Sequence, residues 1–116
     1  MPLFDIPPNE FGLSEKSMAI INEIYSRFPQ IEKVICYGSR AKGNFREGSD
    51  IDMAIIAGDG FTDRDLSKVR LDFDDSDLPY LVDISIFSHL KNPDLVDHIK
   101  RRGKILYERK NFKETV

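Results

Sequence analysis

Two aspartates stand in one short apolar run of this sequence. Asp50 and Asp52 flank Ile51, and apolar residues continue from Met53 to Ile56. Because side chains alternate along a β-strand, a strand here places both carboxylates on one face, with Cα atoms about 6.6 Å apart. Two negative charges at that separation repel by about 2.5 kcal/mol at an effective dielectric near 20. An apolar strand that carries this pair therefore needs a compensating positive charge.

A third carboxylate belongs to another predicted strand. From Leu81 to Phe87, apolar residues alternate with polar ones, and Asp83 is one of the polar residues. Arginine, lysine or a divalent cation could balance the pair, but a third acid on a neighbouring strand favours a cation. Carboxylate oxygens suit Mg²⁺, which keeps several waters and is usually completed by substrate phosphates. The sequence therefore predicts a magnesium site at the three aspartates.

A glycine-serine turn precedes the aspartate pair. Val34 to Tyr37 is a short, β-rich apolar run that leads into Gly38-Ser39. The glycine lets a phosphate approach closely, and backbone amides at the start of a helix over residues 40–42 would face that phosphate. Ser39 adds a hydroxyl donor and Lys42 adds a positive charge. We therefore predict that this turn binds the phosphates of a nucleotide.

The remaining elements follow from capping signals and apolar periodicity. Residues 1–12 form an irregular lead-in, and residues 108–116 form a polar tail. We predict three longer helices, the first capped by Ser14 and stopped by Pro29, the second capped by Thr62 with Asp65, and the third running from Asn92-Pro93 to Gly103. A short edge element covers residues 105–107.

Length and composition bound the class of protein. A chain of 116 residues suits one domain, and its apolar stretches are too short for a membrane span. The N-terminus lacks a signal-peptide pattern, so we expect a cytoplasmic protein. A net charge of −3 argues against an extended nucleic-acid surface. Cys36 is the one cysteine, and we expect it to be a buried apolar residue rather than a nucleophile.

Several other polar residues are assigned to solvent or packing. Arg40 either touches nucleotide or acceptor, or lies on a solvated rim. The rest are expected to be solvated or to pack without binding a metal or a partner, namely Asp72, Asp74, Asp75, Asp77, His89, His98, Lys100, Arg101, Arg102 and Lys104.

The two motifs together are more specific than either alone. Gly38-Ser39, ten intervening residues, Asp50-x-Asp52 and the later strand residue Asp83 closely resemble the signature of the minimal nucleotidyltransferases in the DNA polymerase beta-like superfamily. The resemblance covers residues 34–107. Lys42 departs from the pattern, since arginine is more usual there. Lysine keeps the positive charge of the arginine, but it cannot make the bidentate contact with phosphate that a guanidinium makes.

The resemblance implies both a fold and a reaction. The fold is α+β, a small mixed β-sheet with helices packed against it and the acids on two adjacent strands. The reaction is transfer of a nucleoside monophosphate, with Asp50 and Asp52 binding two Mg²⁺ ions. Asp83 would bind the ion that activates the acceptor hydroxyl. Pyrophosphate would leave, held by Ser39 and Lys42.

Within this superfamily the chain is similar to the small MNT antitoxins, which pair with a separate helical HEPN protein of ribonuclease-type toxin activity. That resemblance implies transfer of AMP from ATP to a tyrosine of a HEPN partner. A homo- or hetero-oligomer is compatible with the sequence, which does not decide between oligomeric states. Two alternatives stay open. The acceptor could be a small molecule such as an aminoglycoside, or the chain could be a non-catalytic antitoxin that only binds and covers its partner.

Overall fold

A computed structural model of the chain describes residues 10–46 and 48–109. Predictions for residues 1–9 and 110–116, which belong to the lead-in and the tail, lie outside this part. In chain order the elements are α1 (Glu15–Ser26), β1 (Ile31–Tyr37), α2 (Ser39–Lys42), β2 (Ile51–Ala57), α3 (Asp63–Asp74), β3 (Val82–Ile86), a 3-10 turn (Phe87–His89), α4 (Pro93–Arg102) and β4 (Lys104–Glu108).

The four strands form one mixed sheet in the order β3-β2-β1-β4. Strand β1 pairs antiparallel with both β2 and β4, whereas β2 and β3 run parallel. The register places Asp52 of β2 opposite Asp83 of β3. The predicted α+β class and the small mixed sheet are confirmed, and two of the three acids, Asp52 and Asp83, lie on adjacent strands.

The two faces of the sheet are covered differently. Side chains of α1 and α3 pack with Met53 and Ile55 of β2 in the main core. On the opposite face, Tyr37 and Ala54 form a smaller buried cluster with Ile99 of α4. The alternation along β2 therefore assigns successive residues to different apolar layers, as expected for a strand that is covered on both faces.

The three predicted helix starts are confirmed by their caps. The Ser14 hydroxyl accepts a hydrogen bond from the Ser17 amide at 3.1 Å. Thr62 and Asp65 form a reciprocal capping box at the start of α3. The Asn92 side chain accepts a hydrogen bond from the Asp94 amide at 2.9 Å. These bonds satisfy backbone donors that a helix leaves free in its first turn.

Several predicted boundaries were wrong by a residue or two. Strand β2 begins at Ile51, so Asp50 precedes it. The third strand is shorter than predicted, because the chain turns into a 3-10 helix at Phe87. Glu108 is the last residue of β4 and pairs with Lys33 rather than beginning a frayed tail. Phe11, predicted within an irregular lead-in, is only 4% exposed and belongs to the core.

Within residues 10–46 and 48–109, every helix is too short or too polar to cross a bilayer.

Candidate active site

Gly38 follows the last residue of β1 and packs directly against the carboxylate of Asp52. Its backbone has φ 76° and ψ −153°, a region that essentially only glycine adopts. A Cβ at this position would also overlap Asp52 Oδ2. Both the conformation and the contact therefore require glycine. This contact brings the predicted phosphate-binding turn and the predicted metal-binding strand into one place.

The three predicted acids interact with one another. Burial, followed by the charges of Asp83 and then Asp50, raises the pKa of the Asp52 carboxyl above its ordinary value. The repulsion predicted from the sequence is thus present, although Asp50 contributes from the loop before β2 rather than from the strand. Asp50 and Asp83 are both exposed, so solvent and ligands reach them.

The donor set fits Mg²⁺ without forming a closed cage. Within the described ranges, no three His, Cys, Asp or Glu side chains converge closely enough to hold a metal ion by themselves. Mg²⁺ commonly takes one or two carboxylates and leaves its other positions to water and substrate phosphates. Asp52 and Asp83, in register on adjacent strands, offer oxygen ligands of this kind beside the Gly38 turn.

Helix α2 is a single turn that starts at this glycine. The amides of Lys42 and Gly43 donate to the carbonyls of Gly38 and Ser39 at 3.1 and 3.0 Å. The three longer helices begin at capping side chains, whereas no side chain in the described part of the protein caps α2. Its first amides thus remain available to an anion. Ser39 is half-buried and Lys42 is exposed.

Arg40 corrects both sequence interpretations of that residue. It is only 1% exposed, so it is neither a solvated rim residue nor open to a nucleotide. Its Nε and Nη2 atoms donate to the Ser49 carbonyl at 3.1 and 2.9 Å, and Nη1 donates to the Phe11 carbonyl at 2.9 Å. The guanidinium lies 5.0 Å from the ring centre of Phe45 and 4.6 Å from that of Tyr80. The available signal was the presence of an aromatic residue in each of two loops, Phe45 among polar neighbours and Tyr80 after Leu78 and Pro79.

Tyr37 is a site residue that the sequence analysis missed. It lies opposite Asp52 in the β1–β2 register. Burial, with the charges of Asp83 and Asp52, raises the pKa of Tyr37 to about 12, against the opposing effect of a hydrogen bond with Ser85. The hydroxyl therefore stays protonated at neutral pH and lies close to the acids. Its position at the end of β1, before the glycine, was the only sequence signal.

The structure shows the surroundings of several residues that were assigned to packing or solvent. Cys36 is buried, and burial is the main cause that raises the pKa of its thiol to about 12, so it is not an activated nucleophile. His89 is exposed, with Nδ1 3.2 Å from a carboxylate oxygen of Asp63. The basic side chains in the last turn of α4 are exposed, where they complement the helix dipole.

Residues 20–112 match the family model described as Polymerase beta, Nucleotidyltransferase. The chain belongs to this family. MntA of Haemophilus influenzae, assigned as a protein adenylyltransferase, is 29% identical to it over 75 residues. That alignment covers 65% of this chain and 66% of MntA, slightly less than two thirds of the relative's length.

Two solved structures share the fold. A chain of a toxin-antitoxin complex with AMP-PNP has a TM-score of 0.64 and 21% identity, over 84% of this chain and 78% of that one. A second is from the tri-AMPylated Shewanella oneidensis HEPN toxin in complex with its MNT antitoxin. Its TM-score is 0.60 at 19% identity, over 87% of this chain and 77% of that one. This likeness shows a shared fold, and the family match identifies it as the polymerase beta-like nucleotidyltransferase fold.

Proposed function

We propose that the chain is a Mg²⁺-dependent nucleotidyltransferase that transfers AMP from ATP to a hydroxyl, and that the acceptor is a tyrosine of a separate helical HEPN toxin. The observation that carries this proposal is the contact of Gly38 with Asp52, which leaves no room for a methyl group between turn and carboxylate. The acceptor class is supported by the relative assigned as a protein adenylyltransferase and by the fold shared with a chain of an AMPylated HEPN toxin complex.

Asp50, Asp52 and Asp83 would hold two Mg²⁺ ions. When bound, the metal supplies positive charge that stabilises the attacking and leaving oxygens of an in-line displacement at the α-phosphorus. The donor chemistry of the three carboxylates suits this role. Burial, followed by the charges of Asp83 and Asp50, raises the pKa of Asp52, and a bound cation would offset both effects.

The chain's own residues bind and orient the nucleotide. Gly38 lets the triphosphate approach the backbone, where the first amides of α2 donate to its oxygens. The Ser39 hydroxyl donates to a phosphate oxygen, and the exposed Lys42 ammonium offsets its charge. These contacts hold the pyrophosphate when it leaves.

Transfer forms a bond from the acceptor oxygen to the α-phosphorus and breaks the bond to the bridging oxygen between the α- and β-phosphorus atoms. The acceptor hydroxyl loses its proton in this step. Asp83 is exposed beside Asp52 and can accept that proton once the hydroxyl comes within hydrogen-bond reach. Tyr37, protonated at neutral pH, is not a candidate base.

The proposal is tested by incubating the purified chain with α-labelled ATP, Mg²⁺ and the protein encoded beside it. We expect label on a tyrosine of that partner. The double variant Asp50→Asn/Asp52→Asn should fold, since the amides relieve repulsion, and should label the partner at least about 100-fold more slowly. Asp74→Asn/Asp75→Asn is the matched control, because both acids are exposed at the end of α3.

Other outcomes separate the alternatives. Label found on a small molecule such as an aminoglycoside, and not on the partner, would identify the second acceptor class. Inhibition of the partner without any label would identify a non-catalytic antitoxin. Wild-type labelling by the Asp50→Asn/Asp52→Asn variant would contradict the assigned site.

A further inference from the structure

One buried cation joins the segments that carry the proposed site. The Arg40 cluster consists of the Arg40 guanidinium, the Phe45 and Tyr80 rings, and the carbonyls of Phe11 and Ser49. We propose that Arg40 is a positioning residue, which fixes the loop before Asp50 and so sets that carboxylate relative to the other two acids. The inference rests on the proposed function and adds a residue that does not touch the substrate.

The first step of the argument is the connection to Asp50. Ser49 accepts two guanidinium bonds at its carbonyl and immediately precedes Asp50. Ser49 also closes a tight turn, since its amide donates to the Arg46 carbonyl at 2.9 Å and its hydroxyl accepts from the Arg46 amide at 2.8 Å. Asp50 lies outside β2, so strand pairing does not fix it. The guanidinium ties this turn to α2 instead.

The second step is the pair of rings. Phe45 lies in the same loop as Ser49, and Tyr80 lies three residues before Asp83. Both rings lie within about 6 Å of the guanidinium, the range of a favourable cation-π contact. Gly12, with φ 74°, has no space for a Cβ, which would overlap the Phe45 ring. The cluster is therefore closely packed around the cation.

The third step excludes a substrate contact. Arg40 is 1% exposed, and Nε, Nη1 and Nη2 each donate to a backbone carbonyl. A buried guanidinium is tolerated because these bonds replace its hydration. Lysine keeps the charge but cannot reproduce the planar fork that holds one carbonyl with two nitrogens. The Arg40→Lys variant consequently isolates the positioning role.

The experiment compares Arg40→Lys with Arg109→Lys in the full chain. The Arg109 guanidinium also donates to a backbone carbonyl, that of Pro29. Pro29 lies just before the start of β1, whereas Gly38 follows the end of that strand, so Arg109 is the control away from the proposed site. Four quantities are measured: the unfolding midpoint, the affinity for Mn²⁺ in the presence of AMP-PNP, and kcat and KM for ATP in partner labelling. Mn²⁺ is the probe because its binding is read by electron paramagnetic resonance without turnover.

We expect Arg40→Lys to fold, to bind Mn²⁺ about 10- to 100-fold more weakly, and to lose a similar factor in kcat with little change in KM for ATP. Tyr80→Phe keeps the ring and should match wild type, as should Arg109→Lys. Unchanged Mn²⁺ affinity and kcat in folded Arg40→Lys would overturn the proposal. A raised KM with unchanged kcat would overturn it too, because that result indicates a nucleotide contact.

Two further arms keep the test decisive. If Arg40→Lys does not fold, Tyr80→Leu and Phe45→Leu replace it, because they keep the arginine but remove an aromatic ring that packs against its guanidinium. Weaker Mn²⁺ binding by these variants supports the proposal, and wild-type binding refutes it. If the wild-type chain labels no partner, the proposed function fails. The positioning role is then decided by Mn²⁺ affinity alone.

Discussion

Asp52 and Met53 are neighbours on β2, yet they serve different parts of the molecule. Met53 is fully buried in the core shared with α1 and α3, where its sulfur accepts a hydrogen bond from the Tyr25 hydroxyl at 3.2 Å. Asp52 faces the opposite way, and burial together with two nearby carboxylates raises its pKa. Strand alternation therefore separates residues that hold the fold from residues that carry the proposed chemistry. Substitutions on the two faces should have opposite effects on stability and transfer.

The largest expected effect on stability is on the core face. Met53→Ala removes a fully buried side chain and should lower the free energy of unfolding by about 2–5 kcal/mol, measured by urea titration. The folded fraction should still label the partner at the wild-type rate. Ile105→Ala is the control, because this β4 residue is 49% exposed and its truncation should have a much smaller effect. A loss of labelling by folded Met53→Ala would contradict the division of β2 into one face that stabilises the fold and one face that carries the proposed chemistry.

Gly38→Ala tests the point where fold and site meet. The φ of 76° alone should lower the free energy of unfolding by about 1–3 kcal/mol, and the added Cβ displaces the Asp52 carboxylate. We therefore expect transfer to be lost as well. Gly43→Ala is the matched control, since Gly43 has φ 87° but a Cβ added there would have nothing within 4 Å. The Gly43→Ala variant should be destabilised but should still label the partner. Equal losses of labelling in the two variants would contradict the role assigned to the contact between Gly38 and Asp52.

The parts of this site that could be predicted from the sequence are those set by local spacing. The glycine-serine turn, the Asp50-x-Asp52 spacing and the alternation around Asp83 are all short-range patterns, and the mixed sheet brings them together. Boundaries were less predictable because they depend on partners. The β2–β3 pairing, for example, begins where the Ile51 amide donates to the Leu81 carbonyl.

The Arg40 cluster could not be predicted for a related reason. Its members lie at residues 11, 40, 45, 49 and 80, so no helix or strand period connects them. Arginine is well suited to bind phosphate, so the sequence left a nucleotide contact and a solvated position as the two interpretations of Arg40. Only the tertiary structure shows that its donors are used by backbone carbonyls. Tyr37 is similar, because its position opposite Asp52, which in turn pairs with Asp83, depends on the register of three strands.

Thr62→Ala should have a smaller effect that is confined to stability. The variant removes one half of the capping box at the start of α3, on the core face of the sheet, and should lower the free energy of unfolding by about 1 kcal/mol. Partner labelling should be unchanged. Ser67→Ala, an exposed position within α3, is the control and should be close to neutral. Equal stability of the two variants in a urea titration would show that the cap contributes nothing.

The smallest expected effect is a gain in stability from Asp52→Asn. The folded-state pKa of Asp52 is raised above its unfolded value, so the folded protein binds a proton more tightly there. The ionised carboxylate therefore destabilises the fold at neutral pH, and this penalty disappears as pH falls below the unfolded pKa. Without Mg²⁺, Asp52→Asn should melt slightly above wild type at pH 7 and together with it in acid. Mg²⁺, added together with AMP-PNP, should reduce the difference at pH 7, because the bound cation neutralises the wild-type carboxylate. A variant that melts below wild type at pH 7 would mean that Asp52 supports the fold, and the division between the two faces of β2 would not hold.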